Sequence, residues 1–150
     1  MKEAVGNAGV VSIAITIIGI IIIIFVSSLN YTKAFKVKNR IVDIIERYND
    51  GYARGNRNKI DSEVASTLRE LGYRVDTRNK GCSEKEGANL VYNSSGNYRY
   101  CIYENESNRG KYYTVVAFMY LDLPVINELL EFPVSGETKV FYHVIDNHGL

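Results

Sequence analysis

The chain has 150 residues, a formal net charge of +1 and two cysteines. That length leaves room for one ordinary domain, and so balanced a charge gives no field that would draw nucleic acid. The averages hide two unlike parts. The first 30 residues carry only the charges of Lys2 and Glu3, whereas the remainder is polar and holds all 12 tyrosines. Tyrosine offers a large contact area with a polar tip, which suits surfaces and interfaces.

From Ala4 to Thr32 no residue is charged, and the apolar core runs from Val10 to Phe25 through Ile20-Ile21-Ile22-Ile23-Ile24. A helix of about 20 apolar residues crosses a hydrocarbon layer of roughly 30 Å. A soluble domain this small could not bury a helix that is apolar on every side. Residues 1–32 are therefore read as an N-terminal segment with a transmembrane helix, and the lipid bilayer is its expected partner. A cleaved leader is the competing reading, but the run is long and isoleucine-rich, and the residues beyond Ser27-Ser28 keep a helical pattern. Val10, Ile13, Ile17, Ile20 and Ile24 lie along this helix as candidate packing positions against other apolar helices.

The helical pattern continues through residues 33–50. Val37, Ile41, Ile44, Ile45 and Tyr48 fall at i, i+4, i+7, i+8 and i+11, one apolar face of an amphipathic helix. No proline interrupts the stretch from Val10 to Asp50, and Gly51 is the expected terminator. The stripe can pack on the chain's own domain, on neighbouring copies, or on both.

Residues 51–150 read as an α+β globular domain. Gly51 to Lys59 is turn-rich. Asp61 is the expected N-cap of a short helix with Val64, Leu68 and Leu71 on its apolar face and Gly72 as its terminator. Tyr73-Arg74-Val75 reads as an extended exit. Period-two patterns then predict strands over Ala88–Tyr92 and Tyr98–Glu104, with a turn at 93–97 between them. Asn105–Gly110 reads as a polar turn. Lys111–Leu123 is the longest strand signal. Val115, Ala117, Met119 and Leu121 share one face and Val116, Phe118 and Tyr120 the other, so a central strand covered on both sides is expected. Pro124 ends it, Val125–Leu130 is expected to make a helical turn, Gly136 a turn, and Lys139–Ile145 a last strand. Helices followed by strands indicate α+β with an antiparallel sheet.

The catalytic motifs are missing. The chain has no phosphate loop, no GxSxG and no HExxH. His143 falls in the expected last strand and His148 in the tail, and the cysteines lack CxxC spacing, so neither a metal centre nor a Cys–His nucleophile is expected. No enzyme activity, cofactor or small-molecule substrate is expected either. Three triplets, at Asn30, Asn93 and Asn105, match the N-glycosylation sequon.

Cys82 and Cys101 set a choice that is tied to orientation. As the only two cysteines of a small domain they suit one disulfide outside the cytoplasm; in a cytoplasmic domain they would be two thiols. Lys33, Lys36, Lys38 and Arg40 come after the span and, by the positive-inside rule, favour a cytoplasmic head. The even cysteine count and the Tyr, Asn, Gly and Ser content favour an outside one, which is the expectation taken forward. A bridge would be worth about 3 kcal/mol in the chain-entropy account.

The layout resembles type IV pilin-like proteins, whose hydrophobic N-terminal helix continues as an amphipathic half packed on an antiparallel sheet. More narrowly it is similar to TadE-like pseudopilins, on Gly6-Asn7-Ala8-Gly9-Val10 before the apolar run, the late strand from Val115 into Leu123-Pro124, and the segment from Phe132-Pro133 to Val140. The chain departs from the pilin pattern in having no glutamate within the apolar run. The resemblance implies a structural or assembly component of a pilus or secretion apparatus, with other pilin-like subunits or assembly proteins as partners. The other functional reading is a single-pass membrane-anchored binding module that presents its head to a protein or to the cell wall.

Overall fold

The computed structural model describes residues 2–73, 81–93, 99–122 and 129–142. A single helix, α1 (Lys2–Glu46), runs 45 residues without a break, about 68 Å at 1.5 Å per residue. It is succeeded by α2 (Arg57–Glu70) and by β1 (Ala88–Asn93), β2 (Tyr100–Ser107), β3 (Gly110–Asp122), β4 (Leu129–Glu137) and β5 (Phe141–Tyr142). The sheet is antiparallel in the order β1-β2-β3-β4. β5 pairs with the first residues of β3, on the edge that β4 uses further along. The class is α+β, as expected.

The two halves of α1 differ in what they touch. From Ala34 onward one face turns inward: Ala34, Val37, Ile41, Ile44 and Ile45 are buried. Val37, Ile41, Ile44 and Ile45 join Tyr100 and Ile102 of β2, Tyr113, Val115 and Ala117 of β3, and Ile60, Val64 and Leu68 of α2 in one core. The opposite face of the sheet has its own small core of Cys101, Tyr103 and Val116, against which Cys82, Ala88, Leu90 and Phe118 pack. β3 is therefore a central strand apolar on both faces at Val115, Val116, Ala117 and Phe118.

α1 stops at Glu46, and the chain leaves it by tight turns, with Tyr48 N–H bonded to the Ile45 carbonyl and Gly51 N–H to that of Tyr48. Gly51 has φ +55°, and a Cβ there would stand 2.6 Å from the Tyr113 ring and 2.8 Å from that of Phe141. Only glycine meets both demands. α2 ends at Gly72 (φ +59°) in a Schellman arrangement: Gly72 N–H bonds to Arg69 O and Tyr73 N–H to Leu68 O.

Several expectations need correction. α2 begins at Arg57, one turn before the expected start, so Asp61 lies inside the helix and is not its N-cap. Its carboxylate instead accepts a bond from the Tyr52 hydroxyl at 2.6 Å. The polar stretch from Asn105 is strand as far as Ser107, and only Asn108 and Arg109 make the turn before Gly110 opens β3. Where a helical turn was expected, Leu129 and Leu130 start β4, and Gly136 lies within that strand. Proline argues against a strand interior, yet Pro133 is tolerated because β4 is at the sheet's edge. The last strand is Phe141–Tyr142 among the described residues, with Lys139 and Val140 before it outside any strand. The expected features at Arg74-Val75, Tyr98, Pro124 and residues 143–145, and most of the turn at 93–97, lie outside the described residues.

Gly51→Ala is expected to destabilise the head by about 2 kcal/mol, from backbone strain at positive φ added to the clash with two rings. Denaturant unfolding of the detergent-solubilised chain, monitored by near-UV circular dichroism, measures it.

Candidate functional site

The surface feature that stands out is the first part of α1. Its large apolar side chains from Val10 to Phe35 are each between 40% (Val26) and 66% (Val10) exposed. The most apolar 18-residue stretch has none of its residues buried by the chain itself, and this is a helix long and apolar enough to cross a membrane. Soluble proteins seldom expose contiguous apolar patches beyond a few hundred square ångströms. Within the span, Thr16, Ser27 and Thr32 each donate the side-chain hydroxyl to the carbonyl four residues back, so these hydroxyls need no water. α1 is thus a candidate single membrane span.

The candidate packing residues fall into two groups. Val10, Ile13, Ile17, Ile20 and Ile24 are exposed on the free half of the helix. Val37, Ile41, Ile44 and Ile45 lie inside the chain's own core, and Tyr48 packs partly against it. The stripe's partner in this structure is therefore the chain's own sheet.

Where the helix meets the head, aromatic and basic side chains gather. Tyr31 stacks on Phe35 with ring centroids 6.3 Å apart, and the Lys38 ammonium lies 4.2 Å from the Phe35 centroid. Both aromatics are exposed, as are Lys33 and Lys36. Tyrosine and lysine at the end of an apolar helix suit the headgroup layer, where a ring or a stem can lie in the apolar region with its polar end in water.

The head is fastened on its far face. Cys82 and Cys101 are disulfide-bonded, 5.9 Å apart at Cα and 19 residues apart in sequence. The Tyr103 hydroxyl donates to the Ser83 carbonyl at 2.6 Å, and the Lys85 ammonium lies over the Tyr103 ring. The bond thus pins the segment before β1 onto the sheet. It also leaves neither cysteine as a thiolate for metal or nucleophilic chemistry. His143 and His148 lie outside the described residues, and among the described residues no cluster of metal-ligating side chains forms. The Asn105 amide is already engaged, donating to Thr114 Oγ1 at 2.8 Å.

The near face holds a line of aromatics that sequence periodicity does not place. Tyr92 stacks on Tyr100 at 4.4 Å, and Tyr52 stands edge-on to both Tyr92 and Tyr113, which in turn meets Phe141. A bulge between Leu90 and Tyr92 makes this possible. It switches the strand's alternation, so Leu90 packs on the far face and Tyr92 on the near one. Burial pushes the phenols of Tyr52 and Tyr100 well above their ordinary value. It raises Tyr73 and Tyr113 to about 12, with nearby Glu131 and Glu104 respectively adding to the effect. Burial also raises the Asp61 carboxyl, opposed by the bond from Tyr52 and by the Arg57 charge. The Tyr52 hydroxyl donates to Asp61 and the Tyr113 hydroxyl to Glu104.

No protein-family model, no curated protein and no solved structure matches the chain.

Ile41→Ala should cost about 3 kcal/mol of head stability, as for a fully buried aliphatic, whereas Ile17→Ala should leave it unchanged; denaturant unfolding compares them. The phenols retain their protons in the folded head above pH 10, where the unfolded chain loses them. Their stabilisation is therefore complete below about pH 10 and is lost as pH rises toward 12. Absorbance at 295 nm should show these tyrosines ionising together with unfolding.

Proposed function

We propose that the chain is a pilin-like structural or assembly subunit, held in the membrane by the first part of α1 with its head outside the cytoplasm. The observation that carries this reading is the division of one continuous helix. Its C-terminal part is the spine of an antiparallel α+β head, and its N-terminal part is left as a bare apolar rod. Such a rod can sit in lipid as a stored subunit and can equally pack side by side with other apolar helices in an assembly. The Cys82–Cys101 bond supports an outside location, because disulfides persist in oxidising compartments. The head itself needs no ligand in this role.

A membrane-anchored binding module is the second reading, favoured by one observation. The stripe of Val37, Ile41, Ile44 and Ile45 is consumed within the head, so only the membrane half of α1 remains for lateral packing between helices.

Photo-crosslinkers placed at Ile13, Ile17, Ile20 and Ile24 in native membranes separate the two. The assembly reading expects helix-to-helix adducts between copies, or with another small single-span protein, strongest on one face of the helix. Adducts to lipid alone from every position would overturn it in favour of the module. Thiol labelling of intact cells reports the side of the head: Cys82 and Cys101 should label from outside only after reduction.

A further inference from the structure

The head is not simply held above the membrane on a stalk. Its β3–β4 edge points back along α1 toward the apolar half. The direction is fixed by contacts in sequence. Gly51, past the end of α1, lies under Tyr113 and Phe141; Glu46 accepts a bond from the Lys139 N–H; and the Lys38 stem crosses Gly136. Moving from Gly51 through Glu46 and down α1 to Lys38 therefore means moving back along this edge from 141 to 136. β4 continues the same way from Gly136 through Phe132, and its pairing with β3 persists to Asp122 and Leu129. From Gly136 to Phe132 is about 13 Å of strand, and the same distance on the helix is about nine residues. A crossing angle between strand and helix shortens this, which brings Phe132 to the turns of α1 between Leu29 and Phe35. A second chain of contacts agrees. The Lys33 ammonium lies beside Gly72. The hydroxyl of the next residue, Tyr73, accepts a bond from Phe118 N–H at 3.1 Å. Phe118 pairs with Pro133, next to Phe132.

At that level the surface has a consistent character. Phe132 is 42% exposed, as is Phe35, with Tyr31 a turn away. The acidic residue next to Phe132, Glu131, is paired with Arg99, both side chains being largely buried. The Arg99 guanidinium also lies 4.5 Å from the Phe118 ring centroid. The charges left exposed on these turns of α1 are the cations Lys33 and Lys36. Exposed aromatics, a neutralised carboxylate and exposed lysines at the mouth of an apolar helix are the chemistry of a surface that meets anionic headgroups.

We propose that the Phe132 edge of the head rests in the headgroup layer of the bilayer that holds α1, making a second lipid contact beside the span. The inference depends on α1 being in lipid, and the test separates the two. The chain has no tryptophan, so single substitutions report their own surroundings. Ile22→Trp, Phe132→Trp and Tyr142→Trp are made in the full chain and reconstituted in vesicles of phosphatidylcholine and phosphatidylglycerol with brominated acyl chains. Tyr142 is 68% exposed and pairs with Gly110 at the opposite end of β3.

Tryptophan at 22 should be strongly quenched, tryptophan at 132 blue-shifted and quenched to a lesser degree, and tryptophan at 142 unquenched and red. A tryptophan at 132 that matches the one at 142 overturns the second contact while leaving the span intact. A blue-shifted but unquenched signal at 132 overturns it in favour of a protein neighbour. An unquenched tryptophan at 22 removes the span and the contact together. Phe35→Trp, on the helix at the same level, should report the same depth as position 132 and guards against a local misfold of the strand; a quenched 35 beside a solvent-exposed 132 counts against the contact.

Discussion

Val37, Ile41, Ile44 and Ile45 project from one side of α1 onto one face of the sheet, and the head is built around that contact. Each such side chain contributes about 2 kcal/mol on leaving water, against a net stability of about 5–15 kcal/mol for an ordinary domain. Among the described residues the other helix, α2, packs on α1 and adds Ile60, Val64 and Leu68 to the same core. The element that forms the core is also the element that carries the apolar rod. Folding of the head and presentation of the rod are consequently one event.

The remaining stability is distributed to suit a small core. The far face of the sheet has a small apolar cluster to hold its covering segment, and the Cys82–Cys101 bond adds a covalent constraint there. On the near face, tyrosine does what leucine does elsewhere. Tyr52, Tyr92, Tyr100 and Tyr113 fill volume with their rings, while the hydroxyls of Tyr52 and Tyr113 find Asp61 and Glu104. Tyr73 ties the end of α2 to β3 through its hydroxyl. A core made this way keeps these polar atoms bonded and so avoids the cost of burying them unpaired.

Much of this was legible in one dimension, and the failures have specific causes. The long helix declared itself through 29 uncharged residues from Ala4 to Thr32 and a stripe beyond them; Gly72 sits where a terminator belongs, whereas α1 stops at Glu46, five residues before the expected terminator Gly51. β3 was readable because both its faces are apolar. β4 was not, because Pro133 and Gly136 are strand-breaking signals that an edge position overrides. Asp61 resembled a cap because an acidic residue before an apolar period is the usual cap signal, and only the folded chain brings Tyr52 to it. The aromatic line was out of reach for the same reason: it joins distant stretches of sequence through a bulge that no period reveals. The bare half of the helix, by contrast, was legible at once, since burial in so small a head was never available to it.

With its apolar half in a bilayer, an unbroken α1 would also couple the membrane to the head mechanically. Transmembrane helices commonly lean by about 20° when their apolar length exceeds the local membrane thickness. From the middle of the apolar run to Glu46 is about 40 Å of straight helix, so such a lean would carry the head sideways by about 14 Å with no hinge to absorb it. A thinner or thicker membrane would thus re-aim the head as a lever re-aims its tip, and an edge resting on the lipid surface would act as an outrigger that limits the swing on one side.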